Sequence, residues 1–283
     1  MKKNILRHLF ARFASKHTWA DSRMLYKQYL SYCKSAPDLD EQIWRLLKSN
    51  YDLRKKYGRQ FKIVSLGWSC LPRTLATFTM LKAGKKAGEK SMPFDLAGNP
   101  PKSVAHFLHT DFSDYFSDKW QFDKANNWWM NDPATGVFYA HDMDCKENEL
   151  EKIVARYRAR VENFREALHF PGPVLFIMHK ATHLHHVPLN HNAAEDFEEI
   201  CREIKRIRGD KPFKILCFAC DHNETATHIE GAEFIRLLWP DARYIWHLEE
   251  RHTPEGVRFE MAFGEHCRNA LLSMLKENNI LKK

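Results

Sequence analysis

The sequence predicts an α/β protein, a three-layer sandwich with a largely parallel sheet and an N-terminal helical extension. From Phe61 onward, short apolar runs alternate with longer amphipathic segments, the order that produces parallel strands joined by right-handed helical crossovers. Residues 1–60 contain only helical periodicity and are basic, with 14 Lys and Arg against 5 Asp and Glu. We therefore expect a basic helical extension over residues 1–58. An α/β domain should follow over residues 59–283, with an insertion at about 84–136.

The extension is predicted to contain three helices. In residues 1–16 the apolar side chains fall on one helical face and the basic ones fall elsewhere. Two further helices are expected near Ser22–Lys34 and Asp40–Ser49. The amphipathic pattern of residues 1–16 leaves two interpretations open. The helix packs on the body or on a partner, or it lies on an anionic membrane surface as a peripheral contact.

Five strands are predicted in the α/β domain, with amphipathic helical segments between them. The predicted strands are Lys62–Leu66, Val137–Ala140, Val174–Met178, Lys214–Ala219 and Arg243–His247. The predicted helical segments are Leu71–Leu81, Ile153–Leu168, Phe197–Ile207, Ala232–Leu238 and Leu271–Leu275. The insertion is rich in Gly, Pro, Asn and aromatic residues, which is typical either of a substrate-binding structure or of a surface loop.

Composition narrows the possible functions. The longest apolar runs fall far short of the ~20 residues that span a bilayer, and no secretory signal is recognisable. Seven cysteines without framework spacing favour reduced thiols, and hence a cytoplasmic location. Residues 61–283 contain 30 Lys and Arg against 31 Asp and Glu, which argues against nucleic acid as a partner. No phosphate-binding glycine loop is present, so no nucleotide cofactor is expected.

The segment Phe61–Cys70 predicts a reactive thiol. Its apolar run ends at Gly67, and Pro72 suits the first turn of the helix that follows. Cys70 then lies beside the N–H groups of a helix N-terminus, which favour a thiolate and stabilise a developing oxyanion. We expect the oxyanion donors to be backbone N–H groups around Ser69–Leu71, including those of Ser69 and Leu71. The alternative interpretation is a buried structural cysteine.

Three short motifs occur in order: Val64-Ser-Leu-Gly-x-x-Cys70, Ser91-Met-Pro-Phe-Asp95 and Phe138-Tyr-Ala-His-Asp142. Together with the segment Arg156–Phe164 and the strand that begins at Val174, they resemble a bacterial family of predicted papain-like cysteine peptidases, first named as a domain of unknown function. The resemblance implies a thiol hydrolase. The family usually has tryptophan where this chain has Leu96, and often a small residue where it has Trp68. A papain fold has little strand–helix alternation after its cysteine, so the periodicity predicts a different architecture from the one the family name implies.

Reactive residue types follow the predicted strands at one edge of the sheet, where ligands bind in open parallel sheets. After Cys70 come His141 and Asp142, His179, the segment 220–222, and His247 with Glu249. His141 is the predicted base for the thiol, because its motif belongs to the resemblance and its strand would end at this edge. Asp142 adjoins His141 in sequence, so its side chain should point away from the imidazole and could orient another group, while Asp95 could orient the imidazole instead. A bare Cys–His dyad is also workable. His179 is predicted to contact substrate.

Histidines at 179, 183, 185, 186 and 191 raise the question of a metal. These histidines do not have the spacing of a zinc site, and they are not accompanied by the cysteine or carboxylate ligands that such sites often contain. The motif Cys217-x-x-Cys220 has no second cysteine pair to complete a zinc site. No metal is therefore predicted.

The sequence thus predicts a thiol-dependent acyl-transfer enzyme without a cofactor, acting on a peptide, acyl or glycan substrate. One alternative is a coenzyme A-dependent acyltransferase that modifies a surface polysaccharide. The layout is loosely similar to that of the cysteine–histidine acetyltransferases of capsule biosynthesis. A second alternative is a non-catalytic module that binds glycan or protein.

Overall fold

The computed structural model describes residues 16–181, 183–184, 187–188, 193–240, 244 and 253–281. The helices are α1 (Lys16–Ser35), α2 (Asp40–Tyr57), α3 (Leu71–Phe78), α4 (Pro101–His109), α5 (Leu150–Leu168), α6 (Ala194–Arg208) and α7 (Pro254–Glu277), with 3-10 turns at Pro37–Leu39 and Lys85–Ala87. The strands are β1 (Lys62–Ser65), β2 (Gln121–Asp123), β3 (Trp128–Met130), β4 (Val174–Lys180), β5 (His183–Leu184), β6 (Val187–Pro188), β7 (Phe213–Ala219) and β8 (Glu233–Arg236). Residues 1–15 of the predicted first helix lie outside the described residues.

Four strands form a parallel sheet in the order β1-β4-β7-β8. All seven residues of β4 are buried, as expected for an inner strand of a parallel sheet covered on both faces. Two short antiparallel hairpins, β2–β3 and β5–β6, lie apart from this sheet. The sheet is flanked by helices, so the predicted α/β fold class is confirmed.

Helices α5 and α6 cover one face of the sheet. Alternate strand residues such as Val64, Phe176 and Met178 share a buried cluster with Tyr157 and Phe164 of α5 and with the apolar side of α6. Because successive strand side chains point to opposite faces, the remaining β4 residues point to the other face. Those residues, Leu175, Ile177 and His179, are also fully buried.

The insertion at about 84–136 contributes part of this same core. Its buried aromatic side chains join the cluster under α5, and they are Phe94, Phe107, Phe112, Tyr115, Trp120 and Trp129. Phe94 and Phe112 each meet Phe164 of α5 edge to face, with centroids 5.2 and 5.6 Å apart. The insertion is therefore a packed layer of the domain, which neither sequence-based interpretation anticipated.

Two predicted elements differ in the structure. Val137–Ala140 is no strand of the main sheet, since Phe138 forms only single bridges to Gly98 and Met130. Its buried neighbours Val137 and Tyr139 pack in the aromatic core instead. The helix predicted over Ala232–Leu238 is wrong, because Glu233–Arg236 pairs with β7 as the edge strand β8. The predicted strand Arg243–His247, with its candidate His247, lies outside the described residues except for Tyr244, and Glu249 lies outside them too.

The chain divides into two compact units. One contains the described residues up to Gly58 together with Thr74–Lys90 and Pro240–Asn269, and the other contains Arg59–Arg73, Ser91–Trp239 and the segment from Ala270. The first unit has its own core, which includes Tyr32, Ile43 and Leu47. It also contains a buried ion pair, in which Arg54 donates to both carboxylate oxygens of Asp21 at 2.8 and 3.0 Å. The first unit is thus assembled from three stretches of chain rather than from residues 1–58 alone.

Candidate active site

The turn after β1 has room only for glycine at position 67. A Cβ atom on Gly67 would lie 2.5 Å from the carbonyl oxygen of Ser69 and 3.0 Å from Cδ of Pro72. The chain therefore bends sharply at the carboxyl end of β1 and enters α3 at Leu71. Cys70 is the residue immediately before this helix, and only 7% of its surface is exposed.

The backbone of this turn offers hydrogen-bond donors. Leu71 N–H donates to the hydroxyl of Ser69 at 3.3 Å, which caps the start of α3 and engages one of the predicted oxyanion donors. The N–H groups of Trp68 and Ser69 have no acceptor among the described residues. Two donors next to Cys70 are thus available, and one of them belongs to the predicted residue Ser69.

Backbone hydrogen bonds connect the turn to the segment that precedes His141. Asn99 N–H donates to the carbonyl of Trp68 at 3.1 Å. The neighbouring Gly98 exchanges two hydrogen bonds with Phe138, at 2.9 and 3.1 Å. A Cβ atom on Gly98 would lie 2.2 Å from the Phe138 ring, so the ring rests directly on the glycine. The three motifs that bear Cys70, Asp95 and His141 therefore lie in neighbouring segments.

Arg73 lies one helical turn after Cys70 and reaches Asp95. Its Nε is 4.0 Å from Oδ2 of Asp95, whose side chain is fully buried. The same carboxylate oxygen accepts the backbone N–H of Met92 at 2.9 Å, which closes a turn within the Ser91–Asp95 motif. Asp95 thus serves the local backbone and faces a cation from α3.

His141 is exposed and carries an imidazole that favours the neutral form. Partial burial of the ring lowers its pKa, the negative charge of Asp142 opposes this, and the positive charges of Arg160 and Arg73 lower the pKa further. The influence of Arg73 places His141 within electrostatic reach of α3, the helix that follows Cys70. No hydrogen bond joins the ring to another described residue, so Cys70 and His141 do not form a thiol–imidazole hydrogen bond in this structure.

Asp142 is the centre of a buried hydrogen-bond network. Arg160 donates from both terminal nitrogens at 2.9 Å each, Arg156 donates at 2.6 Å and the Tyr157 hydroxyl at 2.9 Å. Burial alone would raise the pKa of Asp142, but these donors and the charge of Arg160 lower it. Each carboxylate oxygen accepts two hydrogen bonds and none comes from His141. Asp142 therefore fixes the turn that presents His141 and does not orient its ring.

The supporting residues on α5 were not assigned a role from the sequence. The residues that contact Asp142 occupy positions 156, 157 and 160, the spacing that places side chains on one side of a helix. The Tyr157 ring also contacts the ring of Tyr139, and their centroids are 4.1 Å apart. Tyr139 lies two residues before His141. The sequence feature that could have indicated this role is the spacing of residues 156, 157 and 160 on one helical side, together with the acidic residue of the Phe138–Asp142 motif.

His179 lies inside β4, which is two residues longer than predicted. The pairing of Ser65 with Ile177, continued in the same register, places His179 level with Gly67. Its imidazole is completely buried and neither ring nitrogen has a hydrogen-bonding partner among the described residues. Burial lowers the pKa of His179 to about 4. The imidazole is thus a buried neutral group inside β4 and is not exposed to substrate in this conformation.

A metal site is not evident in the described part of the chain, where no group of three or more His, Cys, Asp or Glu is placed to hold an ion. Of the five clustered histidines, those at 185, 186 and 191 lie outside the described residues. For His183 only the strand is described.

Comparison of the chain with protein-family models, with curated proteins and with solved structures gives no match. The resemblance to papain-like cysteine peptidases therefore depends only on the three motifs, the segment Arg156–Phe164 and the strand that begins at Val174. Among the described helices, none is long and apolar enough to cross a membrane. All seven cysteines lie in the described part of the chain, none of them forms a disulfide there, and six are buried.

Proposed function

We propose that this protein is a thiol-dependent acyl-transfer enzyme in which Cys70 is the nucleophile and His141 the base. The observation that supports this most directly is the convergence of the three motifs. The Cys70 turn, the Gly98–Asn99 segment and the Phe138–His141 segment are joined by backbone hydrogen bonds, and the Arg73 charge acts on His141. A nucleophile, a neutral imidazole and unengaged N–H groups are the parts that acyl transfer needs.

In the proposed mechanism, the Cys70 thiolate attacks the carbonyl carbon of the substrate. The electron pair of the C=O bond moves to oxygen, where the N–H groups of Trp68 and Ser69 stabilise the developing negative charge. His141 takes the thiol proton and returns it to the leaving group as the acyl-enzyme forms. Movement of the exposed His141 ring toward Sγ is required, as is common when catalytic hydrogen bonds tighten only with substrate bound.

The group that resolves the acyl-enzyme decides the reaction class. Water makes the protein a peptidase, amidase or esterase, and this is the class that we propose. A sugar hydroxyl would make it an acyltransferase that takes acyl groups from coenzyme A. Incubation with activated esters and a peptide panel, in parallel with acyl-coenzyme A and a sugar acceptor, separates the two. The Cys70→Ala variant should be inactive in whichever assay gives turnover.

The decisive experiment compares Cys70 with Cys33 as targets of iodoacetamide, with labelling followed by mass spectrometry across pH. Cys33 is the one cysteine of the seven that is not buried. If accessibility alone governs labelling, Cys33 reacts first. An activated Cys70 should instead react about tenfold faster than Cys33 at pH 7, as for a thiol whose pKa lies near neutrality.

Two results would contradict the proposal. Slower labelling of Cys70 than of Cys33 at neutral pH would leave the non-catalytic binding module as the better description. Unchanged labelling of Cys70 in the folded His141→Ala variant would remove His141 from its assigned role.

A further inference from the structure

The exposed face of α1 is basic and apolar without an acidic residue. Arg23, Lys27, Leu30 and Lys34 follow one another at intervals of four, three and four residues, which places them on one side of the helix. All four are exposed, and Leu30 leaves 48% of its surface in solvent. The one acidic residue of α1, Asp21, is buried and paired with Arg54.

A second basic element lies against α1 in the same unit. The 3-10 turn Lys85–Ala87 follows Gly84, where a Cβ atom would lie 3.1 Å from the Met24 sulfur of α1. Lys85 and Lys86 are both exposed. Within the described residues, neither of these lysines, nor Lys27 or Lys34, forms an ion pair. In this part of the chain, four lysine ammonium groups on α1 and the adjoining turn thus have no described counter-charge, and two of them, Lys27 and Lys34, flank Leu30 on α1.

We infer that this face of α1, with the adjoining lysines 85 and 86, docks on an anionic lipid surface. Ammonium groups attract anionic headgroups within a Debye length of the membrane, and an apolar side chain between them can enter the acyl boundary. Nucleic acid offers phosphate for the lysines but no apolar phase for Leu30. The sequence before α1 has a similar composition, since positions 2–15 contain several basic and apolar residues and no acidic one.

The test measures partitioning of the full chain onto vesicles of phosphatidylcholine alone and of phosphatidylcholine mixed with phosphatidylserine. Binding should require phosphatidylserine and weaken as salt is added. Each lysine near a charged membrane contributes roughly fivefold to partitioning. The double variant Lys27→Glu/Lys34→Glu should therefore bind about 25-fold more weakly or worse. Lys85→Glu/Lys86→Glu should behave in the same way.

Matched controls come from the other unit. Lys102 and Lys205 are exposed lysines without a described ion pair, so Lys102→Glu/Lys205→Glu makes the same change in net charge. This variant should bind like the wild type. Leu30→Ala should weaken binding several-fold, whereas Leu238→Ala, at a leucine with 38% exposure, should not.

Three outcomes would overturn the inference. Equal binding to vesicles without phosphatidylserine would exclude an electrostatic lipid contact. Equal loss in the Lys27/Lys34 and Lys102/Lys205 variants would show that net charge, and not this face, is responsible. Binding to DNA or RNA through the same lysines, with no binding to either vesicle, would assign the face to nucleic acid. Circular dichroism confirms that each variant is folded.

Discussion

Arg160 forms a bidentate pair with the carboxylate of Asp142, in which each terminal nitrogen donates to one carboxylate oxygen at 2.9 Å. The pair is buried, since 10% of the Arg160 side chain and 2% of the Asp142 side chain are exposed. Arg156 and Tyr157 each donate one further hydrogen bond to this carboxylate, which therefore accepts four. The acidic residue of the Phe138–Asp142 motif therefore anchors the turn that carries His141.

This arrangement predicts a large loss of stability when the carboxylate is removed. The Asp142→Asn variant leaves the buried guanidinium of Arg160 without its counter-charge, and breaking a buried pair in this way costs about 3 kcal/mol or more. Urea unfolding of the purified variant measures this loss.

Asp144 provides the matched control, because it also accepts hydrogen bonds from Arg156 but its side chain is 60% exposed. Asp144→Asn should cost less than about 1 kcal/mol, the range of a surface ion pair. Similar losses in both variants would contradict an anchoring role for Asp142.

Three of the four parallel strands could be predicted from sequence because each contains a continuous apolar run. Lys62–Leu66, Val174–Met178 and Lys214–Ala219 correspond to β1, β4 and β7 to within two residues at each end. Strands buried on both faces give continuous apolar runs, and the amphipathic stripes between them are long enough to identify helices. The edge strand β8 was missed because four residues are too few to separate a strand from a short helical stripe.

The support of the site could not be predicted, because it depends on contacts across the fold. Asp142 and Arg160 are 18 residues apart, and nothing in a local pattern says that a turn and a helix will meet. The burial of Phe94 and Trp120 could not be predicted for the same reason, because an irregular aromatic segment has no periodic pattern that indicates a buried face. The motif residues were identifiable, but their division into reacting and anchoring groups requires the tertiary structure.

Because the His179 imidazole is buried, we expect the protein to lose stability in mild acid. Its pKa is about 4 in the folded protein and near 6.5 in an unfolded chain. As pH falls from 6.5 to 4, the unfolded chain binds a proton at this residue and the folded protein does not. Stability therefore falls over that range, by about 3 kcal/mol in total.

The check is urea unfolding between pH 7 and pH 4 for the wild type and for His179→Phe. The phenyl ring cannot bind a proton and removes two unsatisfied nitrogens, so it should flatten the pH dependence. Because phenyl is larger than imidazole, overpacking of about 1–3 kcal/mol should lower stability equally at every pH. An equally steep profile in His179→Phe would assign the acid sensitivity to other groups.

Gly98 and Phe138 predict a steric interaction that can be measured by a double-mutant cycle. Gly98→Ala places a methyl group 2.2 Å from a ring that also stacks on Trp128, with centroids 4.8 Å apart. Overpacking of this kind costs about 1–3 kcal/mol. In a Phe138→Ala background the ring is absent, and the same Gly98→Ala change should cost less than about 1 kcal/mol. Additive losses would show that the two residues do not interact.

The positive charge of Arg73 should influence the protonation state of His141. Removal of the guanidinium in Arg73→Gln takes away a positive charge that disfavours the imidazolium, so the pKa of His141 should rise toward its ordinary value. A titration of the His141 ring protons by NMR measures this directly and does not depend on a substrate. Arg59→Gln, at an exposed arginine, is the control and should leave the titration unchanged.

The same substitution links electrostatics to the proposed chemistry. A base must be neutral to accept a proton, so the acid limb of Cys70-dependent turnover should lie below pH 6.5 in the wild type and move to higher pH in Arg73→Gln. Titration and turnover should shift together. If the His141 titration moves while the acid limb stays in place, a group other than His141 accepts the thiol proton.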